Sequence, residues 1–413
     1  MTLPQGYTHF GAEIVPNQPK SMVRGRTKVC KLSKSLHGLK QAPRQWFAKL
    51  SSALLQFGFK QSKADYSLFV KNHEGKFLVV LIYVDDMIIT GNSPQTLNDL
   101  KKYLHTQFHM KDLGDWKYFL GLEIKKSSQG LFVCQQKYTL DLLQETGMAN
   151  CKPLKLPIAQ RLKLLADSGT QLSYPNPYRR LVGKLIYLSI TRPDITYAVH
   201  ILSQFMTKPT TEHMEAANHL LCYLKSCPGQ GILLTADSTS QVTGYCDSDW
   251  ASCPMGRRST TGYAVMLGNS LISWRAKKQD IVSRSSAKAE YRAMAMTCCD
   301  ITWLVSLLQD LGFDKTQLLP FKLFCDNMAA LHNAKNPVFH ERTKHIEVDC
   351  HYVRDKLLAG IIKTAYIPTK VQPADVFTKA VSVDQFHQLL CKLGVMDPFH
   401  FTPNLTGSDK SNE

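Results

Sequence analysis

The most constraining feature of this sequence is a set of apolar, β-forming segments that each end at acidic residues. Phe77–Val84 is followed by Asp85 and Asp86, and Val242–Cys246 is followed by Asp247. An ionised carboxylate is costly in the middle of a buried strand, so each acid marks a point where a strand leaves the core. Such strand ends are positions at which a fold exposes functional groups. We therefore predict sheets whose strand ends carry acidic side chains.

The composition is that of a folded protein with an excess of positive charge. The 413 residues are 44% hydrophobic and 20% charged, which permits two or three domains and argues against global disorder. Fifty Lys and Arg residues against 33 Asp and Glu residues leave a formal net charge of +17, which favours a polyanionic partner. Residues 1–60 contain ten of these cations and one acid, Glu13. This bias is typical of a solvated surface or of a phosphate-contacting surface, and the interleaved aromatic residues favour the latter.

Targeting and redox features indicate an intracellular protein, either cytoplasmic or nuclear. The most apolar stretch, Phe77–Val84, is far shorter than the roughly 20 residues of a membrane-spanning helix, so no membrane partner is expected. The first ten residues do not have the basic region and apolar core of a secretory signal. The 12 cysteines form no C-x-x-C pair, which favours reduced thiols over disulfides or a zinc site.

Hydrophobic periodicity predicts secondary structure along most of the chain. The predicted helices are Arg44–Phe57, a helix that begins near Ser93-Pro94, Lys137–Thr146, Tyr178–Ile190, Pro193–Met206, Thr211–Ser226 and Ser286–Leu311. The predicted strands are Tyr66–Val70, Phe77–Tyr83, Met87–Thr90, Tyr118–Ile124, Leu131–Cys134, Val242–Cys246, Gly262–Leu267, Leu271–Arg275, Phe321–Cys325 and Ile361–Ile367. Residues 153–177 are rich in proline and are predicted to form a linker.

The adjacent carboxylates Asp85 and Asp86 admit two interpretations. At the tip between two buried strands they repel each other, and a divalent cation such as Mg²⁺, which prefers oxygen ligands, would relieve that repulsion. Alternatively, they belong to a hairpin turn in which Asp serves the backbone hydrogen bonds. The tetrapeptide Tyr83–Asp86 alone does not decide between these interpretations.

A second set of acids lies in the last third of the chain. Asp247, Asp326 and Asp375 sit at junctions between predicted elements, and Glu290 lies in the first turns of the long helix. Four acids from distant segments could converge on two Mg²⁺ ions that activate water against a phosphodiester. Each acid alone also has a structural explanation as a helix cap or a favourable charge near a helix N-terminus. Strand periodicity does not distinguish Asp247 from Asp249, because both face the same side of the strand.

Several long motifs in the first part of the chain resemble the reverse transcriptase of copia-type retrotransposons. They are KLSKSLHGLKQAPRQWFAKL, LIYVDDMIIT and MKDLGDWKYFLGLEI, and they occur in the family's order. The resemblance implies that Gly38–Pro43 lies near the nucleotide and template, that Asp85 and Asp86 are polymerase carboxylates, and that Phe119–Ile124 is the strand gripping the primer. It also makes three nearby residues candidate nucleic-acid contacts: Lys40, Gln41 and Arg44.

The same resemblance implies a departure from the polymerase pattern. The family's polymerase uses a further Asp on an earlier palm strand to hold its two metal ions. In the family that Asp precedes the stretch similar to MTLPQGY, with which this sequence begins, and Glu13 is the only acid before Asp65. The expectation is therefore a partial palm that does not polymerise DNA by itself.

Motifs in the last third resemble the RNase H domain that follows copia-type polymerases. They are GYCDSDWASCPMGRRSTTGYAVMLG, ISWRAKKQDIVSRSSAKAEYRAMA, FCDNMAALHNAKNPVFHERTKHIEVDCHYVRD and YIPTKVQPADVFTKA. The resemblance implies that two Mg²⁺ ions are held by Asp247, Glu290, Asp326 and Asp375, and it favours Asp247 over Asp249. Cellular RNases H often carry a His in the loop before the last helix, whereas residues 368–372 here contain none.

Basic residues near these motifs are candidate contacts for the nucleic-acid backbone. Lys277 and Lys278 are assigned to that role, together with Arg257, Arg258 and Arg284. An exposed, solubilising surface explains the same residues equally well. An RNA/DNA hybrid is recognised mainly through its groove shape, phosphates and 2′-hydroxyl groups, so little base specificity is expected.

The combined prediction is a multidomain protein of the α/β and α+β classes. Residues 1–155 would form an incomplete reverse-transcriptase palm, 156–238 a linker and helical thumb or connection, 239–392 an RNase H-like mixed sheet flanked by helices, and 393–413 a tail. The predicted function is Mg²⁺-dependent hydrolysis of the RNA strand of RNA/DNA hybrids. The alternatives are a non-catalytic nucleic-acid-binding protein, a decayed element, and one piece of a Pol polyprotein that needs its other parts.

Two further motifs are not expected to be functional. His340 and His345 are five residues apart, so a helix would not present them on one face as a zinc-protease motif requires. Asn404-Leu405-Thr406 fits a glycosylation acceptor, but no secretory signal accompanies it.

Overall fold

The computed structural model describes residues 39–335 and 347–397. The chain divides into two compact units, Met1–Met110 and Lys111–Glu413. Gly38, the histidine pair His340/His345 and the sequence Asn404-Leu405-Thr406 lie outside the described residues. Among the residues that are described, none of the helices combines the length and apolar character needed to cross a lipid bilayer.

The first unit consists of an antiparallel sheet and two helices that pack against it. Its elements are α1 (Ala42–Gln56), β1 (Lys60–Gln61), β2 (Leu68–His73), β3 (Lys76–Tyr83), β4 (Asp86–Gly91) and α2 (Pro94–Gln107). The strands are hydrogen-bonded in chain order. Leu50 and Leu54, four residues apart on α1, are completely buried beside Leu100 and Leu104 of α2. The predicted helices and strands of this region are confirmed, because the apolar periodicity matches the buried faces.

A second antiparallel sheet lies in the second unit and contains strands from distant parts of the chain. Its strands are β5 (Tyr118–Phe119), β6 (Leu122–Ser127), β7 (Gly130–Cys134), β8 (Gly231–Thr235) and β14 (Val395–Met396), in the order β14-β8-β7-β6-β5. The single strand predicted over Tyr118–Ile124 is wrong. Leu120 and Gly121 both have positive φ angles and turn the chain between β5 and β6. Phe119–Ile124 is therefore a short hairpin, in which glycine relieves the strain of the second turn position.

Helices cover this sheet and form the largest hydrophobic core among the described residues. They are α3 (Gln136–Glu145), α4 (Asn176–Leu188), α5 (Thr196–Ser203), α6 (Thr211–Ser226) and α11 (Val383–Lys392). The helix predicted over Pro193–Met206 begins instead as a 3₁₀ turn, Pro193–Ile195, before α5. The α6 helix has the predicted bounds, and Thr210 caps its N-terminus together with His213.

The third sheet is mixed and carries the acids of interest. Its strands are β9 (Val242–Asp249), β10 (Thr260–Leu267), β11 (Ser270–Lys278), β12 (Phe321–Cys325) and β13 (Ile362–Tyr366), in the order β11-β10-β9-β12-β13. The first three strands are antiparallel, whereas β12 runs parallel to both β9 and β13. The accompanying helices are α7 (Ser286–Asp310), α8 (Lys315–Leu318), α9 (Met328–Lys335) and α10 (Glu347–Leu358).

Alternating side chains of β10 bury both faces of this mixed sheet. Tyr263 and Val265 pack with α7, while Ala264 and Met266 belong to the core formed with the helices of the second sheet. This alternation follows from the two-residue period of a strand. The predicted fold class, a mixed sheet flanked by helices, is confirmed.

The compact units divide at residues 110 and 111, whereas the sequence predicts functional divisions at 155, 238 and 392. Those divisions remain a prediction, although strand pairing crosses all three of them. The pairing of β7 with β8 crosses the division at 155, and the pairing of β8 with β14 crosses those at 238 and 392. Leu393 and Val395, which were assigned to the tail, are buried and belong to the core of the helical region.

Candidate metal and catalytic site

Two parallel strands bring the first two acids to the same edge of the mixed sheet. Asp247 lies near the end of β9, and Asp326 directly follows β12. The register pairs Tyr245 with Phe324, two residues before each acid. The carboxyl ends of adjacent parallel strands therefore place both carboxylates together, although the two acids are far apart in the sequence. Cys246 and Phe324, which lie just before them, are 78 residues apart.

Glu290 reaches the same place from the α7 helix. Ser285 caps the N-terminus of α7 by accepting a hydrogen bond from the Lys288 backbone N–H, which begins the helix one turn before Glu290. The Ser248 backbone N–H donates to Glu290 Oε1 at 2.9 Å, and the Cys325 thiol donates to Oε2 at 3.6 Å. These bonds hold the buried carboxylate between the ends of β9 and β12.

Asp375 is placed by a close approach of a short 3₁₀ helix, Pro373–Phe377, to strand β10. Gly262 of β10 pairs with Asp247 of β9. A Cβ atom at Gly262 would lie 2.6 Å from Thr378 Cγ2 and 2.8 Å from Phe377 Cβ. Only glycine leaves room for this contact, so position 262 determines how near the Asp375 segment comes to Asp247.

The four acids predicted from the sequence meet in one cluster. One oxygen each of Asp247, Asp326 and Asp375 lie within 4.8 Å of one another, and the same limit holds for ligand atoms of Glu290, Cys325 and Asp326. Asp326 belongs to both groups. Asp249 belongs to neither group within the described part of the chain, and Asp247, with 2% of its surface exposed, is the buried member of the pair.

Three residues that sequence reasoning missed contact these carboxylates. Thr378 donates a short hydrogen bond to Asp247 Oδ2, and Thr369 Oγ1 donates to Asp326 Oδ2 at 2.7 Å. Lys379 Nζ lies 3.0 Å from Asp375 Oδ1 and 3.6 Å from Asp247 Oδ2. Thr369 comes from the loop in which the expected His is missing. The four-residue spacing between Asp375 and Lys379 was the available signal for this ion pair.

Burial shapes the electrostatics of the cluster. It raises the pKa of Asp247 and raises the pKa of Glu290 well above its usual value, and it raises the pKa of Asp375 to about 7. Neighbouring carboxylates add to the rise for Glu290 and Asp375, because like charges resist ionisation. For Lys379, burial lowers the pKa, but the attraction of Asp247 and Asp375 outweighs it and raises the pKa above its usual value.

The cluster fits a divalent cation. Both oxygens of the fully buried Asp375 accept no hydrogen bond from the described residues, so Lys379 contacts this carboxylate as a charge and not as a well-directed donor. Buried carboxylate oxygens without hydrogen-bond partners are costly unless a cation compensates them. The donor set of Asp247, Asp326 and Asp375 consists only of oxygen, which suits a hard ion such as Mg²⁺.

The raised carboxylate pKa values predict a pH-dependent stability of the metal-free protein. Asp375 has a pKa of about 7 in the folded state and an ordinary value near 4 when unfolded, so the folded state binds its proton more tightly. The resulting stabilisation is complete below about pH 4 and is lost as the pH rises through about 7. Chemical denaturation in EDTA should show the free energy of unfolding falling across this range.

The variant Asp375→Asn isolates the contribution of this group. It should be about 2–4 kcal/mol more stable than the native protein in EDTA at pH 8, and its advantage should vanish near pH 4. The control Asp237→Asn changes an exposed carboxylate and should leave the pH dependence unaltered. Equal pH dependence of native protein and Asp375→Asn would contradict the assignment.

The other predicted pair, Asp85 and Asp86, lies at the tip of the β3–β4 hairpin. Tyr83 pairs with Asp86, and Val84 and Asp85 form the turn, with Val84 at a φ of 51°. Both carboxylates are exposed, and neither belongs to a group of three potential ligands within the described residues. Trp46 Nε1 donates to Val84 O at 2.9 Å, which ties α1 to the hairpin tip.

The residues predicted to contact nucleic acid differ in how exposed their side chains are. Lys40, Gln41 and Arg44 are exposed at the beginning of α1, the helix that contacts the hairpin tip through Trp46. Lys277 and Lys278 are half-buried at the end of β11. Lys278 Nζ donates to Gln204 Oε1 at 2.8 Å, so part of its hydrogen-bonding capacity is used within the protein.

Comparison with known proteins shows that the chain is similar to proteins encoded by transposons. The family model described as reverse transcriptase (RNA-dependent DNA polymerase) matches residues 9–160. A retrovirus-related Pol polyprotein from transposon RE1 of Arabidopsis thaliana is 45% identical over 367 residues, which are 89% of this chain and 25% of that protein. The transposon Ty5-1 protein of Saccharomyces cerevisiae is 30% identical over 293 residues, which are 70% of this chain and 95% of that protein.

The chain spans about a quarter of the length of the Pol polyproteins that it matches, from transposons RE1 and RE2. Among solved structures, RNase H1 from Halobacterium salinarum matches 33% of this chain and 94% of its own length, with 17% identity and a TM-score of 0.25.

Proposed function

Since the chain belongs to the copia-type retrotransposon Pol polyprotein family, we propose that its mixed-sheet region hydrolyses the RNA strand of RNA/DNA hybrids with two Mg²⁺ ions. The observation that carries this proposal is the convergence of Asp247, Glu290, Asp326 and Asp375 in one cluster. The RNase H motifs of the sequence contain the same four residues. The cofactor and the hybrid substrate are part of the proposal.

The protein's own contribution is to hold the acids in place before the substrate arrives. Asp247, Glu290, Asp326 and Asp375 would bind the two ions, with Asp326 shared between them. When bound, the ions would supply activation of water and stabilisation of the negative charge that develops on the phosphodiester. Thr378 and Thr369 fix the orientations of Asp247 and Asp326 through hydroxyl hydrogen bonds, and the Ser248 N–H fixes Glu290. Preorganised carboxylates need little rearrangement during the reaction.

The first unit is proposed to contribute a basic surface for nucleic acid. Lys40, Gln41 and Arg44 lie exposed near the hairpin tip, and Asp85 and Asp86 project from the same region. The reverse-transcriptase family model includes this hairpin. The two Asp residues are proposed as remnants of a polymerase site, and no third carboxylate accompanies them as a potential metal ligand within the described residues.

The proposal is tested with the full chain and three labelled duplexes: an RNA/DNA hybrid, an RNA duplex and a DNA duplex. We expect cleavage of the RNA strand of the hybrid in Mg²⁺, none of the other duplexes, and complete loss of cleavage in EDTA. A primer-extension assay on the same preparation should show no synthesis.

Binding of the hybrid without cleavage in Mg²⁺ or Mn²⁺ would overturn the nuclease proposal. That result would support the alternative of a non-catalytic nucleic-acid-binding protein. Robust primer extension would contradict the proposal that the hairpin acts only as a remnant.

A further inference from the structure

Within the described part of the chain, Lys379 is the cation that forms ion pairs with the buried acids Asp247 and Asp375. Its Nζ atom lies 3.0 Å from Asp375 Oδ1 and 3.6 Å from Asp247 Oδ2. Both carboxylates are almost completely buried, whereas 34% of the Lys379 side chain is exposed. The lysine therefore reaches the acids from the solvent side of the cluster.

The contacts of Lys379 are with two of the three carboxylates that could hold a metal ion. Oxygens of Asp247 and Asp375 belong, with Asp326, to the group whose ligand atoms lie within 4.8 Å of one another. Neither oxygen of Asp375 accepts a hydrogen bond from the described residues, so the ammonium charge of Lys379 is what compensates this buried carboxylate. Asp249 and Asp326 add further negative charge around the same ammonium group.

We propose that Lys379 is an internal counter-cation that compensates the metal-free site and is displaced when a divalent ion binds between Asp247 and Asp375. The inference rests on the proposed function, because it assumes that these acids bind metal. An ammonium group and a divalent ion repel each other strongly at such short range in a buried site. The exposed part of the side chain gives Lys379 a path into solvent, where its charge is hydrated.

Displacement gives Lys379 an influence on metal affinity that a purely structural ion pair would not have. While the lysine occupies the cluster, a divalent ion must compete with it for Asp247 and Asp375. Lys379 therefore weakens metal binding, and the metal requirement of the protein is set partly by this side chain. The same contacts stabilise the fold when the ion is absent, because they reduce the cost of two buried carboxylates.

The variant Lys379→Met removes the charge and keeps a similar apolar stem. In calorimetric titrations of the full chain at pH 8.5, it should bind Mg²⁺ at least about tenfold more tightly than the native protein, as expected for loss of a repulsive charge near 4 Å. The matched control Lys370→Met removes one positive charge from an exposed position beside Thr369 and should change Mg²⁺ affinity by less than about twofold. Unchanged or weaker binding by Lys379→Met, with normal binding by the native protein, would refute the displacement.

Failure of the inference and failure of the proposed function give different results. If the native protein binds no Mg²⁺ in these titrations, the proposed function is wrong. If the native protein binds Mg²⁺, and both Lys379→Met and Lys370→Met bind it with the native affinity, only the proposed role of Lys379 is wrong.

A second measurement uses the native protein and does not depend on the folding of a variant. Acylation of lysine side chains by an N-hydroxysuccinimide ester is followed at each residue by mass spectrometry, with and without Mg²⁺. Release from the ion pairs should increase the labelling rate of Lys379 several-fold when Mg²⁺ is added, while Lys370 and Lys363 react at unchanged rates. A labelling rate of Lys379 that stays constant or falls would contradict its displacement.

Discussion

Replacement of Asp326 by Asn is expected to reduce cleavage of an RNA/DNA hybrid by the full chain at least about 100-fold at saturating Mg²⁺. Among the residues that the structure describes, Asp326 is the carboxylate common to both groups of potential metal ligands, so its neutralisation weakens both ion positions. A bound metal ion contributes several kcal/mol of charge stabilisation in the transition state, and about 1.4 kcal/mol corresponds to a factor of ten in rate. The measurement is the single-turnover cleavage rate over a range of Mg²⁺ concentrations.

The control for this loss is Asp237→Asn, which makes the same chemical change at an exposed position of the same unit. It should cleave at the native rate. Asp326 is half-buried and accepts a hydrogen bond from Thr369, so its replacement by Asn should leave the fold intact in circular dichroism. Cleavage by folded Asp326→Asn at more than a tenth of the native rate would remove Asp326 from the proposed catalytic set.

Replacement of Asp194 by Ala is expected to lower the free energy of unfolding by about 3–5 kcal/mol, because it leaves a buried charge unpaired. Arg192 and Asp194 are both completely buried in the helical region, with Arg192 Nη2 2.8 Å from Asp194 Oδ2. Arg192 also donates to the Cys227 carbonyl at 2.9 Å, and the Tyr223 hydroxyl donates to Asp194 Oδ2 at 2.7 Å. After the substitution, the Arg192 guanidinium retains its backbone partner but has no counter-charge.

Two matched variants distinguish the cost of a buried unpaired charge from the cost of losing an exposed ion pair or a single hydroxyl group. Glu145→Ala deletes the carboxylate of the more exposed pair with Lys184, and solvent screening of that pair should leave the free energy of unfolding nearly unchanged. Tyr223→Phe deletes the hydroxyl that donates to Asp194 and accepts from Gln230 Nε2 at 3.4 Å, and it should cost about 1–2 kcal/mol. Urea denaturation followed by circular dichroism gives all three values. A cost below 1 kcal/mol for Asp194→Ala would show that water or a local rearrangement compensates Arg192.

Local patterns were sufficient for elements whose residues bury one face. The α6 helix and the strand Phe321–Cys325 have the bounds that their apolar periodicity predicts. The spacing of Leu50 and Leu54 likewise places α1 on its sheet. In these cases the buried side chains recur with a regular spacing among residues that are close in the sequence, so the element can be recognised without knowledge of distant contacts.

Elements that depend on distant partners were missed or misread. Gly231–Thr235 forms a strand because it pairs with Gly130–Cys134, about a hundred residues earlier, and with the short strand Val395–Met396. The hairpin within Tyr118–Ile124 depends on positive φ angles at Leu120 and Gly121, which an uninterrupted run of β-forming residues does not reveal. Pairing energy in a sheet comes from cross-strand neighbours, and the sequence order does not show which strands are neighbours.

The candidate site likewise has features that the sequence predicts and features that only the tertiary structure shows. The sequence by itself predicted the four acids, because three of them stand at element boundaries, Glu290 lies in the first turns of a helix, and the motifs around all four resemble those of one family. Only the tertiary structure decided that Thr369 and Thr378 orient the carboxylates and that Lys379 lies between Asp247 and Asp375. Interactions between charges depend on distance and burial, and the packing of β9, β12, α7 and the Asp375 segment sets both.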